Sequence, residues 1–501
     1  MTVSAYSFPE YEDFDAVGLA ELVATGQITA TELVEAAIER VEALNPLLNA
    51  VVVKHYAEAR RLAREGAADG PLHGVPFLTK DLAMVAGQRT SFGSVFFRDF
   101  RPDHTDEYQL RTQRAGLISI GRSSSPEFGL VPTTESALHG ATKNPWDLTR
   151  SSGGSSGGAA ASTAAGIVPM AHASDGGGSI RIPASACGVF GFKPSRGRMP
   201  RFPGSAADYL SLDLAVSRSV RDTATLLDAT HGAVPGAAYH AAAPERPFVD
   251  AAAADPRPLR IAFSTEDFRG GEPDHDCVAA VAETADELRR LGHTLVAATP
   301  AIDGQAMAEA FMVVWQALAE SIFDIILTEA SHRRAGAMLR RVLGDWRAMK
   351  VIARLDSRKS GRAAFEPFTW GLADRSRRRT PAELEAAKTE LQRVSHVVGA
   401  FLQEHDSFLT PVLGSAPMGL GEIDQTAAWD DVVEQLSSYV AFTPVANFSG
   451  LPAMSVPTHW SAEGLPIGTH FMGRFGDEAT LLSLAGQLER AMPWANRRPI
   501  L

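Results

Sequence analysis

Two cysteines in 501 residues, Cys187 and Cys277, are too few for a disulfide framework, and no CxxC pair or zinc-ligand cluster accompanies them. Both read as plain thiols. The 14 histidines are scattered and HExxH is absent. The acidic run Asp274-His275-Asp276-Cys277 sits where a helix N-terminus takes acidic residues, so no metal is expected. Neither GxxxxGK[ST] nor a clean GxGxxG followed by a distant acid occurs, which removes the usual glycine-rich phosphate cradles. Basic residues are outnumbered 47 to 59, and the formal charge of −12 opposes general binding to nucleic acid or anionic lipid. No uninterrupted apolar segment reaches the roughly 18 residues of a membrane span. The N-terminal MTVSAYSFPEYEDFDA carries acids where a signal peptide needs a basic stretch and an apolar run. These lacks point to a cytoplasmic protein acting on a small molecule, with neither nucleic acid nor membrane as partner.

What is present suits a large buried core, since hydrophobic residues make up 45% and charged residues 21%. The length exceeds the usual single domain, although α/β folds on one large sheet stay continuous well beyond ~250 residues. Thr29 and Glu32 have capping-box spacing ahead of Leu33, Ala37, Val41 and Leu44, so residues 15–45 read as two helices parted at Gly26. The run Val75-Pro76-Phe77-Leu78 predicts a buried strand that delivers Lys80, and Leu117 to Gly121 predicts another. Residues 233–257, rich in Ala and Pro, read as a surface crossing. After it, Leu259–Phe263, Asp276–Leu291 and His293–Ala297 form a strand-helix-strand pattern. Residues 300–405 are mostly helical in pattern, and the basic run Arg375 to Arg379 reads as a solvated helix end. Strand patterning returns at Ser407–Leu413, Ala453–Pro457 and Ile467–Gly473, before a closing helix over about Glu478–Arg490.

Residues 151–189 pack small residues around a helix-like stretch, Ala159 to Ala165, between glycine-rich loops. A flexible linker would not keep Ile167, Val168, Met170, Ile180 and Ile182 in strand-like runs between its glycines. The pentapeptide Gly153-Gly154-Ser155-Ser156-Gly157 satisfies GxSxG, the nucleophile elbow of α/β-hydrolases, and would make Ser155 the attacking group of a serine esterase. An elbow should follow a hydrophobic strand directly, whereas Asp147, Thr149, Arg150, Ser151 and Ser152 precede this one. No histidine among His293, His459 and His470 is singled out as its partner.

Taken together, the two glycine-rich loops from Gly153 to Ala184 resemble the amidase signature family, whose stretch runs GGSSGG, an alanine-rich helix, then D-x-GGS-I-R-x-P. Ser155 and Ser179 are 24 positions apart, as that family's two working serines are. Gly74 to Asp81 resembles its lysine-bearing strand. Gly121 to Gly129 also matches, with Arg122, Ser123 and Ser124 where the family usually has Lys, Thr and Asn. Ala141 to Trp146, Gly191 to Pro194, Phe442-Thr443-Pro444 with Asn447, and Gly450-Leu451-Pro452 agree as well. The two ends of the chain look closest to the 6-aminohexanoate cyclic dimer hydrolase branch, while residues 300–405 match poorly.

The resemblance implies an α/β fold with a large mixed sheet flanked by helices on both faces. It implies a single amidase domain over 1–501, comprising an N-terminal helical region (1–65), a catalytic core (66–232), the crossing (233–257), a βαβ unit with a variable helical region (258–405) and a C-terminal return (406–501). It further implies Ser179 as nucleophile, Ser155 in a cis peptide with Gly154 as proton relay, and Lys80 as base. Backbone N–H groups of Gly176, Gly177, Gly178 and Ser179 would form the oxyanion hole, with Gly176 standing where the family usually has Thr or Ile. Asp175 and Arg181 would brace that loop and Ser156 would assist Lys80. Lysine is a base only when neutral, so its reference pKa near 10.4 must fall roughly three units, and burial supplies that direction. The expected partner is a small amide substrate, with no cofactor, and a homodimer is compatible with this reading. Phe96, Trp315, Gln316, Phe442 and Asn447 are the pocket candidates. The glutaminase subunit of a tRNA-dependent amidotransferase shares the signature, but the net charge and the two chain ends argue against it.

Overall fold

The computed structural model describes residues 6–200, 209–331 and 345–501, with side chains in the helix Gly304–Ser331 described as far as Phe323. Part of the expected 300–405 helical stretch, 332–344, lies outside the described residues. Fifteen strands are present among the described residues. The first three are β1 (Val51–Lys54), β2 (Pro76–Lys80) and β3 (Ile118–Ser123). Four short ones follow, β4 (Glu135–Ser136), β5 (Gly140–Ala141), β6 (Lys143–Asn144) and β7 (Asp147–Ser151). Then come β8 (Met170–Asp175), β9 (Phe190–Lys193), β10 (Leu212–Ser217), β11 (Arg260–Phe263) and β12 (Thr294–Ala297). The last are β13 (Ser407–Pro411), β14 (Ala453–Trp460) and β15 (Pro466–Gly473).

The large sheet is mixed and has eight strands in the order β12-β11-β13-β15-β14-β9-β10-β8. The parallel pair β11/β12 comes from the crossover through the helix His275–Arg290, β13 returns parallel to β11 after the helical stretch that ends at Glu404, and every later neighbour is antiparallel. A second sheet, β1-β3-β2, has β2 at its edge, just as β8 is the edge of the large one. The two edge strands lie side by side, which sets Lys80 at the end of β2 against His172 and Ser174 of β8. All five residues of β2 are buried, as its unbroken apolar run requires of a strand covered on both faces.

The predicted N-terminal helices occur as Ala16–Ala24 and Ala30–Leu48, the latter opened by the Thr29/Glu32 capping box. The crossing segment contains an unexpected short helix, Phe248–Ala253, because the Asp228 carboxylate accepts from the N–H groups of Phe248 and Val249 and Phe248 is buried beneath it. Ile180 and Ile182 do not form a strand. They lie at the start of the helix Arg181–Cys187, and only Met170 of the expected apolar set falls within β8. The helix Gly304–Ser331 carries a 20-residue stretch, Gly304–Phe323, of mean hydropathy 1.3, which is long and apolar enough to cross a membrane by length and composition. Glu309 and Glu320 interrupt the stretch, so it is not an unbroken apolar run. Met307, Phe311, Met312 and Trp315 of this helix line a cavity, which accounts for its apolar character.

Candidate active site

Lys80 is completely buried, and its Nζ lies 2.8 Å from Ser155 Oγ, 2.8 Å from Ser156 Oγ and 3.0 Å from Ser174 Oγ. Burial lowers its pKa from the usual 10.5 to about 7, against the opposing pull of the Asp213 and Asp175 carboxylates. A neutral amine offers two N–H donors and one lone pair, matching three hydroxyl neighbours without a counter-ion. Arg122 holds the turn that follows by donating from Nη1 to the Ala83 carbonyl at 2.8 Å and the Lys80 carbonyl at 3.4 Å.

Ser155 follows a cis peptide bond with Gly154, and Ser156 precedes the helix Gly157–Ala164, its hydroxyl turned to Lys80 rather than capping the helix. Gly158 in this helix abuts the main chain of Ser124 and Ala50 so closely that a Cβ could not fit. Ser124 and Gly158 are also joined by a main-chain hydrogen bond of 3.2 Å, which ties the Ser155 loop to the end of β3. The esterase reading loses its footing here. His293 is bonded to Gln487 and the Leu259 N–H, His459 to Glu283, and His470 to Arg181 and Thr410, so none of the three serves Ser155.

Ser179 stands at the end of the loop Gly176-Gly177-Gly178 and is 8% exposed, open enough to be reached. Asp175 braces this loop: its carboxylate accepts from the N–H groups of Gly178 (2.8 Å) and Ile180 (3.1 Å) and pairs with Arg181 through two bonds of 3.0 Å. The guanidinium and the other bonds hold the Asp175 carboxyl well below its usual range despite complete burial. Because the Gly178 N–H is donated to Asp175, Gly178 leaves the set of oxyanion donors expected from the sequence. Among the described residues none accepts from the N–H groups of Gly176, Gly177 or Ser179.

Two cavities meet at Ser179. One is lined by Met307, Phe311, Met312, Phe368, Val440 and Phe448. The other is lined by Phe92, Phe97, Phe100, Phe128 and Ile322 and also touches Ser155. Gly129, Leu130 and Trp315 border both, which places Trp315 where the sequence expected it. The remaining pocket candidates are corrected. Phe96 stacks on Phe365 with ring centres 5.1 Å apart, behind Phe97. Gln316 faces away from the cavities and accepts from Arg379 Nε at 3.5 Å. Phe442 is buried against Phe268 while its neighbours Ala441 and Pro444 do the lining. Asn447 sits beneath the Asp175 loop, donating to Asp175 Oδ1 at 2.8 Å and accepting from Arg181 at 2.7 Å. For Gln316 and Asn447 helical spacing explains the miss, since neighbours on a helix face different sides. Ser174 was missed altogether, although the alternation of His172 and Ser174 along β8 places both on one face.

The Amidase family model matches residues 32–482. The 6-aminohexanoate-cyclic-dimer hydrolase of Paenarthrobacter ureafaciens is 34% identical over 97% of this chain and 96% of its own length. The solved structure of a 6-aminohexanoate cyclic dimer hydrolase superposes with a TM-score of 0.85 at 31% identity, covering 97% of this chain and 99% of that one. A bacterial aryl acylamidase of the amidase signature family has a TM-score of 0.81 at 25% identity over 97% and 99% of the two chains. With the signature loops, the mixed sheet and the buried lysine all in place, the chain belongs to the amidase signature family of amide hydrolases.

Proposed function

We propose that this amidase hydrolyses carboxylic amides through Ser179, Ser155 and Lys80 and an acyl-enzyme. The observation that carries the reading is the buried Lys80 amine, lowered to about pKa 7 and 2.8 Å from the Ser155 hydroxyl. Ser179 Oγ attacks the amide carbon while its proton passes to Ser155 and the Ser155 proton to Lys80 Nζ. The C–N bond breaks as the leaving nitrogen takes a proton back along the same path. Water then adds to the ester with the relay again accepting a proton, and the carboxylic acid leaves, restoring Ser179. The developing oxyanion is served by the N–H groups that face no acceptor among the described residues, those of Gly177 and Ser179 foremost.

The apolar walls of both cavities favour alkyl or aryl groups on either side of the amide. The likeness to cyclic-dimer hydrolases and an aryl acylamidase supports both cyclic oligoamides and aryl amides as candidates. The acidic net charge suits a small-molecule enzyme of the cytoplasm. A fluorophosphonate probe followed by peptide mass mapping tests the assignment. The expected adduct is on Ser179 and is absent in Ser179→Ala; an adduct on Ser155 would replace this reading with the esterase one. Hydrolysis rates for aryl amides, fatty amides, glutamine and cyclic oligoamides identify the substrate class.

A further inference from the structure

His172 is a large polar side chain in a buried strand, with Ala171 and Ala173 beside it, and its two ring nitrogens are both engaged. Nδ1 lies 3.2 Å from the main-chain N of Lys80 and 3.2 Å from Gln109 Nε2, and Nε2 lies 3.1 Å from Asp213 Oδ1. A main-chain N–H can only donate, so Nδ1 carries the lone pair and the ring proton is on Nε2, where the Asp213 carboxylate accepts it. The tautomer is thereby fixed. Asp213 pairs with Ser174 across the β8/β10 ladder, so His172, Ser174 and Asp213 share one face of the sheet.

That face meets the lysine twice. Ser174 Oγ contacts Lys80 Nζ at 3.0 Å, and His172, two residues earlier on the same strand, holds the Lys80 main-chain N–H. β2 has β3 as its ladder partner on one side only, and on the other the imidazole stands where a neighbouring strand's carbonyl would be. We propose that His172 is a positioning residue for the base, its Nδ1 locking the end of β2 onto β8 so that the Lys80 amine stays in register with Ser155, while Asp213 selects the tautomer that permits this. The inference rests on Lys80 acting as the base. The physical reason is reach: the amine hangs on a flexible four-carbon stem, and a misplacement of ~1 Å costs about a hundredfold in rate. The three hydroxyls seat the amine at the tip of that stem, and the Nδ1 bond fixes the main chain at its root.

Asparagine and glutamine separate the two nitrogens. His172→Asn places an oxygen near the position of Nδ1, whereas His172→Gln places its amide near Nε2 and leaves nothing opposite the Lys80 N–H. The measurement is the rate of Ser179 acylation by a fluorophosphonate across neutral pH, with melting temperature as a folding control. His172→Asn is expected within about threefold of wild type with the same acid limb, and His172→Gln slower by about thirtyfold or more with a displaced limb. Equal losses in the two variants, or better retention by Gln, overturn the proposal. Should either fail to fold, long-range 15N–1H NMR of the wild-type imidazole reads the same device: the ring proton is expected on Nε2 with Nδ1 bare, and a proton on Nδ1 overturns the proposal. A wild-type protein that forms no adduct on Ser179 overturns the function reading itself, and this inference with it.

Discussion

The indole Nε1–H of Trp315 donates to the main-chain carbonyl of Leu130 at 3.2 Å. The bond joins a helix from the poorly matching 300–405 stretch to the turn that follows Glu127–Gly129 in the signature core. Both residues border both cavities. The contact is to main chain, so the helix can vary in sequence around this one tryptophan without losing its seat beside Ser179.

Removing the donor and removing the ring have separable consequences. Trp315→Phe keeps an aromatic face for Phe311, which stacks on it at 5.6 Å, and loses one hydrogen bond of about 1 kcal/mol. A rise in KM of about fivefold with kcat unchanged is expected. Trp315→Ala opens the partition between the cavities, and kcat/KM for amides is expected to fall by roughly tenfold to a hundredfold. Steady-state kinetics on one aryl amide check both, and wild-type kinetics in Trp315→Ala would remove Trp315 from the site.

The base should announce itself in the pH dependence. With Lys80 at about 7, the rate of Ser179 acylation is expected to fall tenfold per pH unit below that value and to level off above it. Stability follows with the opposite cost. Between about 7 and the ordinary 10.5 the unfolded chain binds a proton at this lysine that the folded chain does not, so stability rises with pH across that window and is flat in this group below it. Lys80→Met is therefore expected to be inactive yet more stable at pH 7, the lost bonds to three hydroxyls offsetting part of the gain. A melting temperature raised by roughly 2 °C or more is the predicted reading; a lower one would mean that the amine is not held neutral.

Much of this site is readable from the chain. The strand at Pro76–Lys80 announces itself by an apolar run that ends in lysine, and the serine loops by glycines at fixed spacing. What stays hidden is which neighbours share a face. Gln316 sits beside Trp315 in sequence yet points to Arg379, and Asn447 looks like a pocket residue but supports the loop from below. Gly178 illustrates a third kind of miss: Asp175 is only three residues away, and the turn taken by the intervening glycines, not their identity, brings the carboxylate onto the Gly178 N–H. The Gln316 and Asn447 contacts span long sequence separations and so carry no local signature.

The Asp175–Arg181 pair is fully buried, so losing one partner leaves an uncompensated charge. Arg181 also donates to the Thr443 carbonyl at 2.9 Å and to Asn447 at 2.7 Å. Arg181→Met is expected to cost about 3–5 kcal/mol of stability. Urea unfolding measures it, and a loss below ~1 kcal/mol would show that the loop does not depend on this pair.

The glycines ahead of Ser179 are not equivalent. Gly178 has φ +134, and a Cβ there would run into Thr443 Oγ1 and Ile182 Cδ1, so both backbone and space demand glycine. At Gly176 the nearest atoms to an added Cβ, on Ser211 and Trp315, are 3.6 Å away, an ordinary contact. Gly176→Ala should therefore fold normally and restrict the loop, leaving acylation within about threefold of wild type and adding about 0.4–1 kcal/mol of stability through the unfolded chain. Gly178→Ala must move Thr443, whose hydroxyl donates to the Gly177 carbonyl at 2.7 Å, and so disturbs the N–H groups proposed as oxyanion donors on both sides of it. A loss of about a hundredfold in acylation is expected, the size of one misplaced oxyanion donor. Paired fluorophosphonate kinetics on the two variants decide the matter. Similar rates for both would mean that the loop is not the rigid cradle that the Asp175 carboxylate makes of it.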